Sequence, residues 1–190
     1  MKYEVIDNFL DEEYFDSLVT IFVKAEMTEH GLMPWCFQPN IAFPKNHKNW
    51  KSRESADNLF YMNNTFYTKN VPMSPFYAKL IPLIDKLKAT CLIRAKANLY
   101  PNTEILHEHP MHIDYEFSHS GAILSLNTCD GYTKLKDGTK IDSIANRILL
   151  FDPSEEHCST TTTNNFVRFN ININYINVET PPYVENKIQK

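Results

Sequence analysis

The sequence predicts a mainly β chain of the α+β kind, an antiparallel double sheet with N-terminal helices packed on one outer face. Three observations carry this. Helical spacing of apolar residues is confined to the first half of the chain, and from residue 92 onward the pattern changes to runs of apolar–polar alternation separated by turn residues. The chain has 190 residues, 43% of them hydrophobic, which is enough for one core and too little for two full-sized domains. A single domain over 1–190 is therefore expected, with its core at about 92–177 and an extended tail at 178–190 that carries Pro181-Pro182 and charges.

Tyr3 to Leu10 reads as a short strand, after which Asp11 caps a helix bearing Tyr14, Phe15, Leu18, Val19 and Phe22 at helical spacing. From Gly31 to Asn70 the periodicity is weak and turns are frequent, which predicts loops with short strands. Ser74-Pro75 is a cap followed by proline at the first helical position, opening a helix with Phe76, Leu80, Leu83, Ile84 and Leu87 on one face; Pro82 kinks or restarts it. Ile93 to Tyr100 alternates and ends at Pro101-Asn102, and Met111 to Phe117 alternates again. Ala122 to Asn127 is a third strand. Asp137-Gly138 makes a tight turn between Tyr132–Leu135 and Thr139–Ile144. Arg147 to Phe151 and Val167 to Asn177 complete the strands.

Composition excludes several functions. The formal net charge is -4, which suits nucleic acid poorly. No stretch approaches the ~18 consecutive apolar residues of a spanning helix, and the opening Met1-Lys2-Tyr3-Glu4 lacks a signal-peptide core, so a soluble, cytoplasmic protein without membrane contact is expected. Cys36, Cys91, Cys129 and Cys158 form no CxxC pair and read as reduced core thiols. Four glycines, at 31, 121, 131 and 138, cannot form a GxGxxG or P-loop fingerprint.

The chemistry concentrates in the strand-rich half. His112 and Asp114 are two apart, so in a strand both side chains leave the same face. Two ligands hold a transition metal weakly; the natural third is His157, beyond the strand Arg147–Phe151 and the turn Asp152-Pro153-Ser154. Two histidines and one carboxylate on one side of iron leave open positions, the arrangement of non-haem Fe(II) oxygenases. Arg168 follows 11 residues after His157 and offers a fixed fork for a carboxylate, which suggests a dicarboxylate co-substrate.

These residues, His112-x-Asp114, His157 and Arg168, together resemble the motif of the iron(II)- and 2-oxoglutarate-dependent oxygenases. Ala97 to Pro101, Asn127 to Thr133 with Gly131, Arg147 to Asp152 and the opening Val5 to Leu10 resemble the prolyl 4-hydroxylase-like branch. The resemblance implies a double-stranded β-helix, or jelly roll, with His112, Asp114 and His157 as iron ligands. It gives Arg168 to the distal carboxylate of 2-oxoglutarate, Tyr100 to a hydrogen bond with the same co-substrate, and Asn98 to a place on the same face. The cofactors implied are Fe(II), 2-oxoglutarate and O2. The reaction implied is hydroxylation of an unactivated C–H bond with release of succinate and CO2, on a prolyl or other protein side chain in the first instance. A small metabolite or a nucleobase is the alternative substrate. Only 43 residues separate Asp114 from His157, leaving little room for insertions, so substrate recognition is expected in Gly31–Asn70 and Asn102–Met111.

Rival readings exist at each point. An isolated HxD on an amphipathic strand is ordinarily a solvated polar face, and the stripe Asn170, Asn172, Asn174 reads the same way. His107-Glu108-His109-Pro110-Met111-His112 comes close to the HxHxDH of zinc hydrolases but has methionine where the aspartate belongs. A cupin-like metal- or ligand-binding module shares the double sheet without the oxygenase chemistry. His107, His109 and His119 read as loop or rim residues. Lys45, His47, Lys48, Lys51 and Arg53 around Trp50 read as a solvated loop, or a contact for phosphate or an acidic peptide.

Overall fold

A computed structural model describes residues 2–39 and 60–177. The basic cluster around Trp50 and the tail 178–190 lie outside the described residues. Eleven described strands form two antiparallel sheets. The larger runs in the order β1 (Tyr3–Ile6), β9 (Ile148–Phe151), β6 (Ser120–Ser125), β11 (Val167–Ile176), β5 (Cys91–Pro101), β3 (Tyr61–Thr68), β2 (Cys36–Gln38), with β4 (Val71–Pro72) paired to β3. The smaller is β10 (His157–Ser159), β7 (Tyr132–Leu135), β8 (Lys140–Asp142).

The two faces of the large sheet differ in chemistry because β5 and β11 each alternate strictly. Ala95, Ala97, Ile171 and Ile173 pair across the two strands and join Phe15, Leu18 and Phe22 of α1 (Glu12–Phe22) in one apolar cluster. Phe76 and Leu80 of a 3-10 helix (Pro75–Leu80) and Leu83 of α2 (Ile81–Lys86) belong to the same cluster. A second, smaller cluster of Ile123, Leu135, Leu149 and Phe151 lies between the two sheets. The opposite face of β5 and β11 therefore looks into the space that the small sheet covers.

Local chemistry sets the helix boundaries. Asp11 accepts from the Tyr14 N–H at 2.9 Å and starts α1, and Ser74 accepts from Phe76 N–H at 3.3 Å ahead of Pro75. Pro82 sits at the start of α2, so it restarts the chain after a 3-10 segment. No described helix is long and apolar enough to cross a membrane. Gly138 takes φ +89 in the β7–β8 hairpin, a conformation that L side chains rarely adopt.

Three expectations change. Tyr61–Thr68, read as loop with short strands, is an eight-residue strand beside β5. Met111–Phe117 forms no strand; His112 makes a single bridge to His157, with backbone hydrogen bonds of 2.9 Å in both directions. Of the four cysteines, all free, only Cys129 and Cys158 are buried, while Cys36 and Cys91 are exposed.

Asn146 ties the first strand–helix connection to the sheet. It sits at φ +60, its Oδ1 accepts from Leu10 N–H at 2.9 Å, and its Nδ2 donates to the Leu10 carbonyl at 2.8 Å. Asn146→Ala strands both backbone groups and puts a Cβ-bearing residue without local hydrogen bonds in the left-handed region. It is expected to cost about 3 kcal/mol in urea denaturation, and Asn146→Gly less, because the backbone term is relieved.

Candidate metal centre

Four polar pairs face each other across β5 and β11 on the inner side of the sheet: Arg94–Asn174, Lys96–Asn172, Asn98–Asn170 and Tyr100–Arg168. The asparagines expected to face solvent are therefore buried, at 3%, 8% and 0% exposure for Asn170, Asn172 and Asn174. A cavity opens above them, and Lys96, Asn98, Tyr100, His112, His157 and Asn172 are among its lining.

His112, Asp114 and His157 converge here, each offering one ligand atom within 4.8 Å of the others. Two of them come from the irregular 111–117 segment, held by the His112–His157 bridge and by the Asp114 N–H donating to the Pro153 carbonyl at 2.9 Å. The third opens β10. Backbone carbonyls orient both rings: Nδ1 of His157 lies 3.0 Å from the Glu155 carbonyl and Nδ1 of His112 lies 3.4 Å from that of Pro110. A carbonyl only accepts, so Nδ1 carries the proton and Nε2 keeps its lone pair, as a metal ligand requires. Burial, and for His112 the neighbouring His157, favours the neutral ring: His112 is pulled down to about 4 and His157 is lowered as well.

Asp114 is held ionised. Burial pushes its carboxyl up, but Arg94, Lys96 and the Asn174 hydrogen bond together outweigh it and leave it well below the usual carboxylate range. Its Oδ1 meets Arg94 Nη2 at 2.9 Å and its Oδ2 accepts from Asn174 Nδ2 at 2.8 Å. Asn174 also accepts from Arg94 Nη2 at 3.1 Å and lies 3.0 Å from His119 Nε2. His119 Nδ1 donates to the Phe117 carbonyl at 2.8 Å, so its Nε2 is the acceptor for Asn174. Arg94, Asn174 and His119 thus orient a carboxylate that sequence reasoning placed alone; the signal for two of them was their alternation in register with Lys96 and Asn172.

At the other end, Arg168 is 1% exposed and has no carboxylate partner among the described residues. Its Nη1 donates to the Thr160 carbonyl at 3.3 Å, its Nη2 to Thr133 Oγ1 at 3.1 Å, and its Nε has no partner. The guanidinium lies 5.5 Å from the Tyr100 ring centre, and burial pushes the Tyr100 phenol up to about 12. A Cβ on Gly131 would come 2.7 Å from Arg168 Cδ and 2.7 Å from the Thr161 carbonyl oxygen, so this glycine makes room for the arginine stem. Asn98, 1% exposed, donates to Asn170 Oδ1 at 2.8 Å and leaves its own Oδ1 unpaired.

His109 and His119, expected at the rim, are buried at 3% and 7%. His109 bonds Ser159 at 2.8 Å and packs on Tyr100, with ring centres 5.3 Å apart. Burial pulls His109 down to about 3. Depressed folded values mean that, as acidity increases, the unfolded chain takes up protons near ~6.5 while the folded one does not. The metal-free protein is therefore expected to lose stability as pH falls from about 6.5 towards 4. Urea midpoints at pH 7 and pH 5 check this; an unchanged midpoint contradicts it. It also moves the acid limit of metal binding below the ~6.5 of free imidazole.

No family model matches the sequence, and no curated protein does. Solved structures do match. A Trichoplax adhaerens prolyl hydroxylase, solved with a hypoxia inducible factor oxygen degradation domain peptide fragment, is 15% identical with TM-score 0.61 over 92% of this chain and 83% of its own. A 2OG-Fe(II) oxygenase family oxidoreductase from Burkholderia pseudomallei is 8% identical with TM-score 0.57, over 92% and 85%. The viral collagen prolyl hydroxylase of Paramecium Bursaria Chlorella virus-1, in its 2OG complex, is 12% identical with TM-score 0.53, over 92% and 95%. The chain thus has the jelly-roll fold of the 2-oxoglutarate oxygenases.

Proposed function

We propose that this chain is an Fe(II)- and 2-oxoglutarate-dependent oxygenase that hydroxylates an unactivated C–H bond, first of all on a protein side chain such as proline. The observation that carries the reading is the convergence of His112, Asp114 and His157 within 4.8 Å on the inner face of a jelly roll. Shared fold alone supports many chemistries, so the residues must carry the argument.

They fit the groups implied. Two neutral imidazoles with free Nε2 and one ionised carboxylate are the donor set for ferrous iron with open positions. An orphaned, buried guanidinium with an unpaired Nε fits the carboxylate of a dicarboxylate co-substrate far from the metal. When bound, iron with 2-oxoglutarate and O2 supplies the oxidising power that inserts one oxygen atom into a C–H bond, with succinate and CO2 released. The chain's own residues do the rest. Carbonyls of Glu155 and Pro110 fix the histidine tautomers, Arg94 and Asn174 hold the Asp114 carboxylate, and Arg168 with Tyr100 orients the co-substrate. Ile123 and Tyr61 contribute apolar wall, limiting water. That a protein of the same fold was solved with a peptide fragment supports a peptide substrate.

Anaerobic Fe(II) followed by 2-oxoglutarate is expected to give a weak visible metal-to-ligand charge-transfer band. Admission of O2 is then expected to yield succinate slowly even without a prime substrate. Metal uptake with neither band nor succinate favours the cupin-like binding module.

A further inference from the structure

The charges around the cavity do not balance. Three cations, Arg94 and Lys96 on β5 and Arg168 on β11, share the inner face, and the carboxylate that meets them is Asp114, which Arg94 pairs at 2.9 Å. Arg94 is spoken for by Asp114 and Asn174. Arg168 is held at the Tyr100 end by Thr133 and Thr160. Lys96 has neither an ion pair nor a hydrogen bond among the described residues; its ammonium lies 5.7 Å from the Tyr61 ring centre. It lines the same cavity as His112 and His157, and the amide directly across from it, Asn172, has an unpaired buried Oδ1. Even with a divalent metal and a dianionic co-substrate in place, a positive excess remains.

We propose that Lys96 anchors a carboxylate of the prime substrate, which makes that substrate an acid whose reacting C–H bond lies close to its carboxylate. This rests on the oxygenase reading above. A half-buried ammonium with no direct ion pair carries a desolvation cost that Asp114 offsets only at a distance, and a carboxylate that reaches it relieves that cost while registering the substrate against the metal. Burial, then repulsion from Arg94, pulls Lys96 down to about 8 against the attraction of Asp114, so the ammonium is still the main form at neutral pH. A single cation with amide neighbours in a narrow cavity suits a planar monoanion better than a phosphate. The carboxylate comes either from a free amino or hydroxy acid, or from an aspartate, glutamate or C-terminus in a peptide.

The test uses the full chain loaded with Mn(II) and saturating 2-oxoglutarate, titrated with acid–amide pairs and read by thermal shift. One arm pairs free amino acids with their carboxamides; the other pairs Asp- or Glu-containing peptides with their Asn or Gln counterparts. The arm that responds identifies the source. At least one acid is expected to bind about 30-fold or more tighter than its amide, the usual consequence of removing one partner of a desolvated charge pair. Lys96→Met is expected to erase that preference, and Lys96→Arg to restore part of it. No acid preference in the wild type, or its survival in Lys96→Met, overturns the proposal. So does a Lys96→Met protein whose 2-oxoglutarate constant rises as much as that of Arg168→Ala, since Lys96 then holds the co-substrate. If the native protein gives neither charge-transfer band nor succinate with Fe(II), the oxygenase reading fails instead, and the acid–amide titration still decides for Lys96.

Discussion

Asp114→Ala is expected to weaken metal binding by more than about 100-fold, the upper range for residues that merely support a ligand. The same substitution should lower metal-free stability by about 3 kcal/mol or more, because Arg94 loses the partner at 2.9 Å and remains partly buried with its charge. The two effects separate in a double variant. Arg94→Met with Asp114→Ala removes the stranded charge, so stability should return towards that of the wild type while metal binding stays lost. Isothermal titration with Mn(II) and urea denaturation of the three variants provide the readouts. If Asp114→Ala binds metal as tightly as the native chain, the carboxylate is a structural partner of Arg94 and not a ligand.

Arg168 should show the opposite relation between stability and binding. Its guanidinium is 1% exposed without a carboxylate among the described residues, so the fold bears the cost of an unpaired charge until a carboxylate arrives. Arg168→Met keeps much of the apolar stem beside Gly131 and removes the charge. The metal-free variant should be at least as stable as the wild type, yet its 2-oxoglutarate constant should rise by about 30-fold or more, as for Arg168→Ala. Tyr100→Phe removes one hydrogen bond and should raise the constant only about 2- to 12-fold. Equal, small effects from both substitutions mean that the dicarboxylate is held elsewhere.

What could be read from the sequence followed the strictness of local alternation. β5 and β11 alternate through Ile93–Tyr100 and Val167–Asn174, ahead of the register shift at Asn174/Tyr175, so their two faces were legible, along with Asn98, Tyr100 and Arg168 on one of them. What alternation cannot say is whether a polar face meets water or a second sheet. Asn170, Asn172 and Asn174 read as solvent-facing and are inside, because β7 and β10, which belong to the other sheet, close over them. Tyr61–Thr68 failed for the opposite reason: Asn63-Asn64 breaks its apolar pattern, and its strand conformation comes from pairing with β5. The HxD pair was placed on one face by a strand argument, yet the segment is irregular. The carbonyls of His157 and Pro153 accept from the His112 and Asp114 N–H groups and bring the two side chains to one place without a strand.

The pairing of β1 with β9 brings Tyr3 opposite Phe151, so two strands far apart in sequence must find each other. Closing so long a loop costs entropy before any contact rewards it, and chains dominated by such pairings fold slowly. During synthesis the inner polar stripe of β5 has no β11 opposite it until Val167–Ile176 emerges, although β3 can already pair its other edge. Tyr3–Ile6 then closes one margin of the sheet by covering β9, with the Asp7–Arg147 ion pair just beyond it. A chain shortened at its start would leave β9 as a bare hydrogen-bonding edge made of Ile-Leu-Leu-Phe, a template for joining another copy.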